Sequence, residues 1–263
     1  MNSTVNPTSA SQDVVTVHHI PPGQRWFTRL VQVPLMAAAT AGFGTISLVC
    51  GLWDRSGRQQ HLVARAWAGV MLRIALAPVE VVGGDRFRAG ASVYASNHLS
   101  YMDTPVLFAK LPFQFRILAK QGLWKVPFIG WYLNRSGQVP IDSSNSRSAV
   151  AGLLRGVAAL KTGMPLVVFP EGSRTPHGEL QAMASGAAFM AIRAGVPLVP
   201  LALIGTYDLL PIHVYSLRPR PLKIIVGEPI STDGFSTRDA ETLTARLYAE
   251  IEKMYYAHAE LQP

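Results

Sequence analysis

Apolar and polar positions change rhythm along this chain, and the changes divide it. Between Arg29 and Asp54 there is no alternation: LVQVPLMAAATAGFGTISLVCGLW runs for 24 residues without a charge. As a helix it would extend about 36 Å, beyond the roughly 30 Å hydrocarbon core of a bilayer. This predicts a membrane-attached helix in preference to a buried helix of a soluble protein, with Pro34, Gly42 and Gly44 as points that kink or loosen it. A second apolar segment, HLVARAWAGVMLRIALAPVEVV, carries Arg65 and Arg73 eight positions apart. That is about two helical turns, so both fall on one side, as in an interfacial or docking helix.

From residue 78 the rhythm becomes strand, then helix, repeatedly. VEVV (79–82), SVYAS (92–96), FRILA (115–119), QVPI (138–141), PLVVF (165–169), PLVPLAL (197–203) and LKIIV (222–226) are short β-rich runs bounded by Gly, Pro or polar residues. Between them SRSAVAGLLRGVAALKTG repeats Val150, Leu153, Leu154, Val157 and Leu160 at helical spacing and stops at Gly163. TRDAETLTARLYAEIEKMYYAHAE closes the chain as another amphipathic helix. Continuous apolar strands such as PLVPLAL imply a sheet covered on both faces. The expected fold is therefore α/β: a mixed, largely parallel sheet flanked by helices, with an N-terminal membrane-associated helical segment. The expected organisation is a mobile tail over 1–24, membrane-associated helices over 25–77 and an α/β domain over 78–263.

Composition narrows the partners. Twenty-four Lys and Arg against 16 Asp and Glu give a net charge of +8, which favours an anionic bilayer, a phosphorylated substrate or nucleic acid. The charge-free segment argues against nucleic acid. Arg25 and Arg29 precede that segment and Arg55, Arg58, Arg65 and Arg73 follow it, leaning towards a body on the cytoplasmic face of the membrane. One cysteine, Cys50, rules out an intrachain disulfide framework and multi-cysteine zinc sites.

Three stretches could carry chemistry. In SNHLSYMD the predicted strand ends near Ser96, and DTPVLFAKL begins like a helix with Asp103 at its start and Pro105 in its first turn. On one continuous helix His98 and Asp103 would lie about 140° apart. Across a strand-loop-helix corner they can meet. The aspartate would then fix the imidazole tautomer and leave the other ring nitrogen to remove a proton. Taken alone, such a pair is commoner as a turn with an aspartate N-cap. No G-x-S-x-G elbow is present and Cys50 lies in the apolar helix, so the nucleophile would have to belong to a substrate.

VVFPEGSRTPHGEL also follows a strand. If the two strands run parallel, both loops emerge on the carboxyl edge of the sheet, where open α/β folds bind ligands. Gly172 would admit a ligand close to the backbone, and Arg174 offers a planar fork for phosphate. Glu171 beside a phosphate would repel it unless it positions Arg174 or accepts from a substrate hydroxyl. Alone, this stretch also reads as a solvated turn. KQGLWKVPFIGWYLNRSGQVPID sets Lys120, Lys125 and Arg135 among Trp124, Phe128, Trp131 and Tyr132, which suits phosphate binding or a snorkelling basic rim on a membrane-facing patch.

Together these residues resemble the 1-acyl-sn-glycerol-3-phosphate acyltransferases, a glycerolipid acyltransferase family. The resemblance covers roughly residues 65–230 in four ordered blocks: N-H-x-x-x-x-D at Asn97, His98 and Asp103; G-x-x-x-x-R from Gly130 to Arg135; F-P-E-G-[ST]-R from Phe169 to Arg174; and V-P-[IL]-x-P from Val196 to Pro200. It implies that His98, held by Asp103, deprotonates the free hydroxyl of a lysophospholipid, whose oxygen attacks an acyl thioester of coenzyme A or acyl carrier protein. It further implies that Lys120, Arg135, Glu171, Gly172, Ser173 and Arg174 hold the acceptor's glycerol phosphate, and that neither metal nor organic cofactor takes part. One position departs from the family: Ala184 stands where relatives commonly carry a lysine. Lysophosphatidic acid is the expected acceptor, with glycerol 3-phosphate or a lyso-aminolipid such as lyso-ornithine lipid as alternatives, and a catalytically silent lipid-binding membrane protein as the reading from another class.

Overall fold

The computed structural model describes residues 20–88, 90–126, 129–142, 145–175 and 177–259. Residues 1–19 of the expected tail and Phe128 lie outside them.

The charge-free stretch is helical. α1 (Pro22–Phe27), a π-helical turn (Thr28–Gln32) and α2 (Val33–Cys50) form one helix of 29 residues, long and apolar enough to cross a membrane, with 6% of its most apolar window buried. It begins at Pro22, three residues before the expected boundary. The π turn lies just ahead of Pro34, whose missing N–H cannot close the regular α ladder. One narrow polar stripe, Gln24, Thr28 and Gln32, recurs every four residues along this apolar surface. Thr28 Oγ1 donates to Gln32 Oε1 at 2.8 Å, Gln32 Nε2 to the Ile74 carbonyl at 2.8 Å and Gln24 Nε2 to the Leu217 carbonyl at 3.0 Å. The N-terminal helix is thereby bonded to the body of the protein at two separate places.

α3 (Arg58–Ile74) returns alongside it as the docking helix the pattern implied. Trp67 Nε1 donates to Thr40 Oγ1 at 3.1 Å, and Ala64, Ala68, Met71 and Leu72 are buried against the sheet. The turn between the helices is held by the buried Arg116, whose Nη2 donates to the Ser56 carbonyl at 2.7 Å.

All seven expected strands are present: β1 (Val79–Val82), β2 (Val93–Ser96), β3 (Arg116–Lys120), β4 (Val139–Ile141), β5 (Leu166–Val168), β6 (Leu198–Ile204) and β7 (Leu222–Val226). They form one sheet in the order β1-β7-β6-β2-β5-β3-β4, parallel at every junction except the antiparallel β6/β7 pair. β6 is buried along its whole length, as its unbroken apolar run requires. Its Pro200 falls where the β7 ladder ends: Gly227 donates to the Pro200 carbonyl at 2.9 Å, and regular pairing starts only at Leu201.

The helices cover both faces. α3 and α4 (Asp103–Lys110) pack on one; α6 (Ser146–Lys161), α7 (Gly186–Ala194) and α9 (Ala240–Ala259) pack on the other. The short α5 (Ile129–Arg135) and α8 (Thr206–Leu209) lie between strands. In α9, Leu243, Leu247 and Ile251 are fully buried at four-residue intervals, each contributing roughly 1.5–3 kcal/mol by burial. In α6 the expected apolar positions divide: Leu153, Val157 and Leu160 pack into the core, Val150 and Leu154 are exposed, and Gly152 and Gly156 are buried in their stead. Close approach is the cause, since a Cβ on Gly152 would meet the Ile141 backbone and one on Gly156 would collide with Met190 Sδ.

Candidate active site

β2 and β5 are adjacent and parallel, with Ala95 opposite Val168, so the loops that follow them leave the same edge of the sheet side by side. The condition set by the sequence is met, and residues far apart in the chain are brought together.

The first loop is built around Asp103, whose side chain has no exposure. Asp103 Oδ2 accepts from His98 Nδ1 at 2.8 Å, from the Leu99 N–H at 2.7 Å and from the Ser100 N–H at 2.8 Å. This differs from an ordinary N-cap: Asp103 is the first residue of α4, and it reaches back to the loop before the helix. Its place in the first turn suits a carboxylate, because the N-terminal end of the helix dipole is positive. His98 must present Nδ1–H to this carboxylate. Its other ring nitrogen, Nε2, is then the unprotonated one, and it has no hydrogen-bond partner among the described residues. The side chain is 16% exposed, so the ring is held in the protein with one edge open.

Three contacts that the residue pattern did not reveal fix this histidine further. Phe169 stacks on the imidazole with centroids 4.0 Å apart and planes 18° apart. Asn97, fully buried, spans to β6 with both ends of its amide, donating to the Leu203 carbonyl at 3.0 Å and accepting from the Leu203 N–H at 2.7 Å. An amide directly after a buried strand was the available signal, since a buried Asn needs partners of both kinds. Ser100 Oγ donates to the Leu210 carbonyl at 2.7 Å.

Glu171 makes no ion pair with Arg174 among the described residues and is held by backbone donors. Its Oε1 accepts the His98 backbone N–H at 2.9 Å and its Oε2 accepts the Gln181 N–H at 3.1 Å. It clips the histidine loop to the segment leading into α7. Burial is the largest influence on this carboxyl and pushes it up to about 7; the two backbone N–H bonds oppose that rise and the Asp103 charge adds to it. The sign follows. A carboxyl that binds its proton more tightly in the folded state gives stability present below the unfolded value, and that stability is lost as pH rises towards 7. From pH 5.5 to 8, chemical denaturation in detergent micelles should show the wild type losing about 2 kcal/mol relative to Glu171→Gln. Parallel pH curves for the two proteins would disprove the assignment.

Gly172 sits at φ +72°, where a side chain is strained, and its N–H closes a turn on the Phe169 carbonyl at 3.1 Å. Ser173 Oγ donates to Gln181 Oε1 at 3.2 Å on the surface. Arg174 lies over the ring of Tyr101, its Cζ 3.8 Å from the centroid. Lys120 is the exposed last residue of β3, also on the carboxyl edge, and has no described contact with the cluster. Arg135 is turned elsewhere: it ends α5 and donates from Nη1 to the Gly51 carbonyl at 3.1 Å, at the end of α2. Ala184 is exposed and its N–H bonds the Pro170 carbonyl at 2.9 Å. The glycine that opens the second block, Gly130, is a packing requirement, because a Cβ there would collide with the Trp124 carbonyl.

Thr104, the residue after Asp103, lines a half-open apolar cavity of about 340 Å³ bounded by α2, α3, α4, α5 and β3. Phe43, Gly44, Trp67, Phe108 and Tyr132 contribute to its wall.

Residues 78–204 match the family described as Acyltransferase. A chloroplastic 1-acyl-sn-glycerol-3-phosphate acyltransferase of Brassica napus is 31% identical over 183 residues, covering 68% of this chain and 53% of the relative. Its counterpart from Arabidopsis thaliana is 30% identical, covering 74% and 57%. The chain thus spans little more than half the length of these two relatives. The 1-acyl-sn-glycerol-3-phosphate acyltransferase of Saccharomyces cerevisiae is 29% identical over 244 residues, covering 89% of this chain and 80% of the relative. Among solved structures, the 1-acyl-sn-glycerophosphate (LPA) acyltransferase PlsC from Thermotoga maritima superposes with a TM-score of 0.73 at 22% identity, covering 90% of this chain and 99% of that one; the likeness is one of fold.

Proposed function

We propose, on the match of residues 78–204 to the Acyltransferase family, that the chain transfers an acyl chain from a thioester of coenzyme A or acyl carrier protein to the free hydroxyl of lysophosphatidic acid, making phosphatidic acid at a membrane. The observation that carries this reading is the His98–Asp103 pair at 2.8 Å, with the far ring nitrogen open on the ligand-binding edge of the sheet.

Nε2 of His98 takes the hydroxyl proton as that oxygen attacks the thioester carbon, and Asp103 stabilises the imidazolium that forms. A C–O bond forms, the C–S bond breaks, and the imidazolium returns its proton to the departing thiolate. Phe169 limits rotation of the ring and shields one of its faces from water. Arg174, with Lys120 on the same edge, meets the acceptor's phosphate. Gly172 and Ser173 shape the turn that carries Arg174, and Glu171 keeps the two loops together. Arg135 acts at one remove, holding the end of α2. The helix over Pro22–Cys50 attaches the protein to the bilayer, with the basic residues behind it supporting a cytoplasmic active site.

The cavity suits the acyl chain, being apolar and lined by Thr104, the residue that follows Asp103. Gly44 lines it, and a Cβ there meets nothing within 4 Å. Gly44→Leu should therefore shift donor preference towards shorter chains, raising the KM for a long acyl thioester about tenfold while sparing a short one. A uniform loss across chain lengths would show that the chain lies elsewhere.

The acceptor is tested with the purified protein in vesicles, labelled acyl-coenzyme A or acyl carrier protein, and a panel of lysophosphatidic acid, glycerol 3-phosphate and lyso-ornithine lipid. Phosphatidic acid is the expected product. Acylation of the others with lysophosphatidic acid left untouched would overturn the assignment, and Ala184 at the usual lysine position makes the panel decisive.

A further inference from the structure

Tyr101 lies inside the histidine loop and is 53% exposed, although both its neighbours are pinned: the Ser100 N–H bonds Asp103, Ser100 Oγ donates to Leu210 and the Met102 N–H donates to Ser100 Oγ at 3.1 Å. A backbone fixed on both sides presents the ring at a fixed place. Over it lies the Arg174 guanidinium, 3.8 Å from the ring centroid, from the neighbouring loop. The contact joins the first and third sequence blocks.

A guanidinium has two kinds of surface. Its flat face stacks on aromatic rings, and its edge carries five N–H donors. A carboxylate partner would occupy the edge; an aromatic partner occupies only the face. No carboxylate forms an ion pair with Arg174 among the described residues.

We infer that Tyr101 is a positioning residue, whose ring holds the Arg174 guanidinium flat so that its N–H edge stays free for the phosphate of the acceptor. The inference rests on the acyltransferase reading above and names what prepares its phosphate site. It explains why an exposed aromatic stands in a loop otherwise tied down by polar contacts: the loop that supplies the base also supplies the support for the arginine, so the hydroxyl and phosphate sites are set by one piece of backbone.

The test uses the full chain in vesicles and a double-mutant cycle. Tyr101→Ala should raise the KM for lysophosphatidic acid about two- to five-fold, with kcat little changed, and Tyr101→Phe, which keeps the ring, should restore it. In an Arg174→Ala background, Tyr101→Ala should add nothing. An equal effect of Tyr101→Ala in both backgrounds, a Phe variant as impaired as the Ala variant, or a loss that follows weaker vesicle binding would each overturn the inference. If the wild type makes no phosphatidic acid, the parent reading fails on its own. Calorimetric titration with glycerol 3-phosphate then decides Tyr101 separately: affinity lowered by Tyr101→Ala and kept by Tyr101→Phe supports it, and unchanged affinity overturns it.

Discussion

His98→Ala should lower the initial rate of acyl transfer about 10³- to 10⁴-fold, the upper range for a general base, with association to vesicles unchanged. On the proposed reading the loss is large because the attacking oxygen belongs to the acceptor and Nε2 is the group poised to take its proton. Folding should survive, since the backbone N–H of residue 98 keeps its bond to Glu171 whatever the side chain. The checking measurement is turnover of a labelled acyl thioester in vesicles, with co-sedimentation run in parallel. Retained turnover would remove His98 from the mechanism and favour the catalytically silent alternative.

Asp103→Asn should cost about 10³- to 10⁴-fold in kcat by a different route. The amide is nearly the shape of the carboxylate, and its oxygen can go on accepting the Leu99 and Ser100 N–H groups. It cannot stabilise an imidazolium. If its NH2 turns to His98 it moves the imidazole proton to Nε2, the atom that must be bare, and gives up the Leu99 and Ser100 N–H bonds as well, because one oxygen of Asp103 accepts from all three. KM for both substrates should move little, because neither substrate is held by residue 103. Asp103→Ala is the informative contrast: it strands two buried N–H groups at about 1–3 kcal/mol each, so it should lower thermal stability as well as rate. A fully active Asp103→Asn protein would show that the aspartate only shapes the loop.

Much of this arrangement was legible in the sequence for physical reasons. Each of the seven strands is apolar and bounded by Gly, Pro or polar residues, so short-range pattern located all of them. His98 and Asp103 could be paired because five positions are wrong for one helical face and right for a corner. Glu171 was not legible: its partners are backbone N–H groups contributed by His98 and Gln181, and a backbone donor has no letter in the sequence. The contact face of α6 was legible at Leu153, Val157 and Leu160 and missed at two positions for a related reason. Hydropathy rewards Val150 and Leu154, while the helix approaches its neighbours most closely where Gly152 and Gly156 have no side chain to bury. Arg135 is named by its motif, yet its partner is the Gly51 carbonyl, which pattern cannot point to.

The ladder of Gln24, Thr28 and Gln32 gives the N-terminal helix a meaning that its hydropathy alone does not. A span joined to its domain by a loose linker would let the catalytic edge wander above the bilayer, meeting acceptors at random heights and angles. A helix hydrogen-bonded to Ile74 and Leu217 cannot roll or swing independently of the sheet. On the proposed reading, the bearing of His98 relative to the lipid headgroups becomes a constant of the fold, and the search for substrate reduces to diffusion in two dimensions.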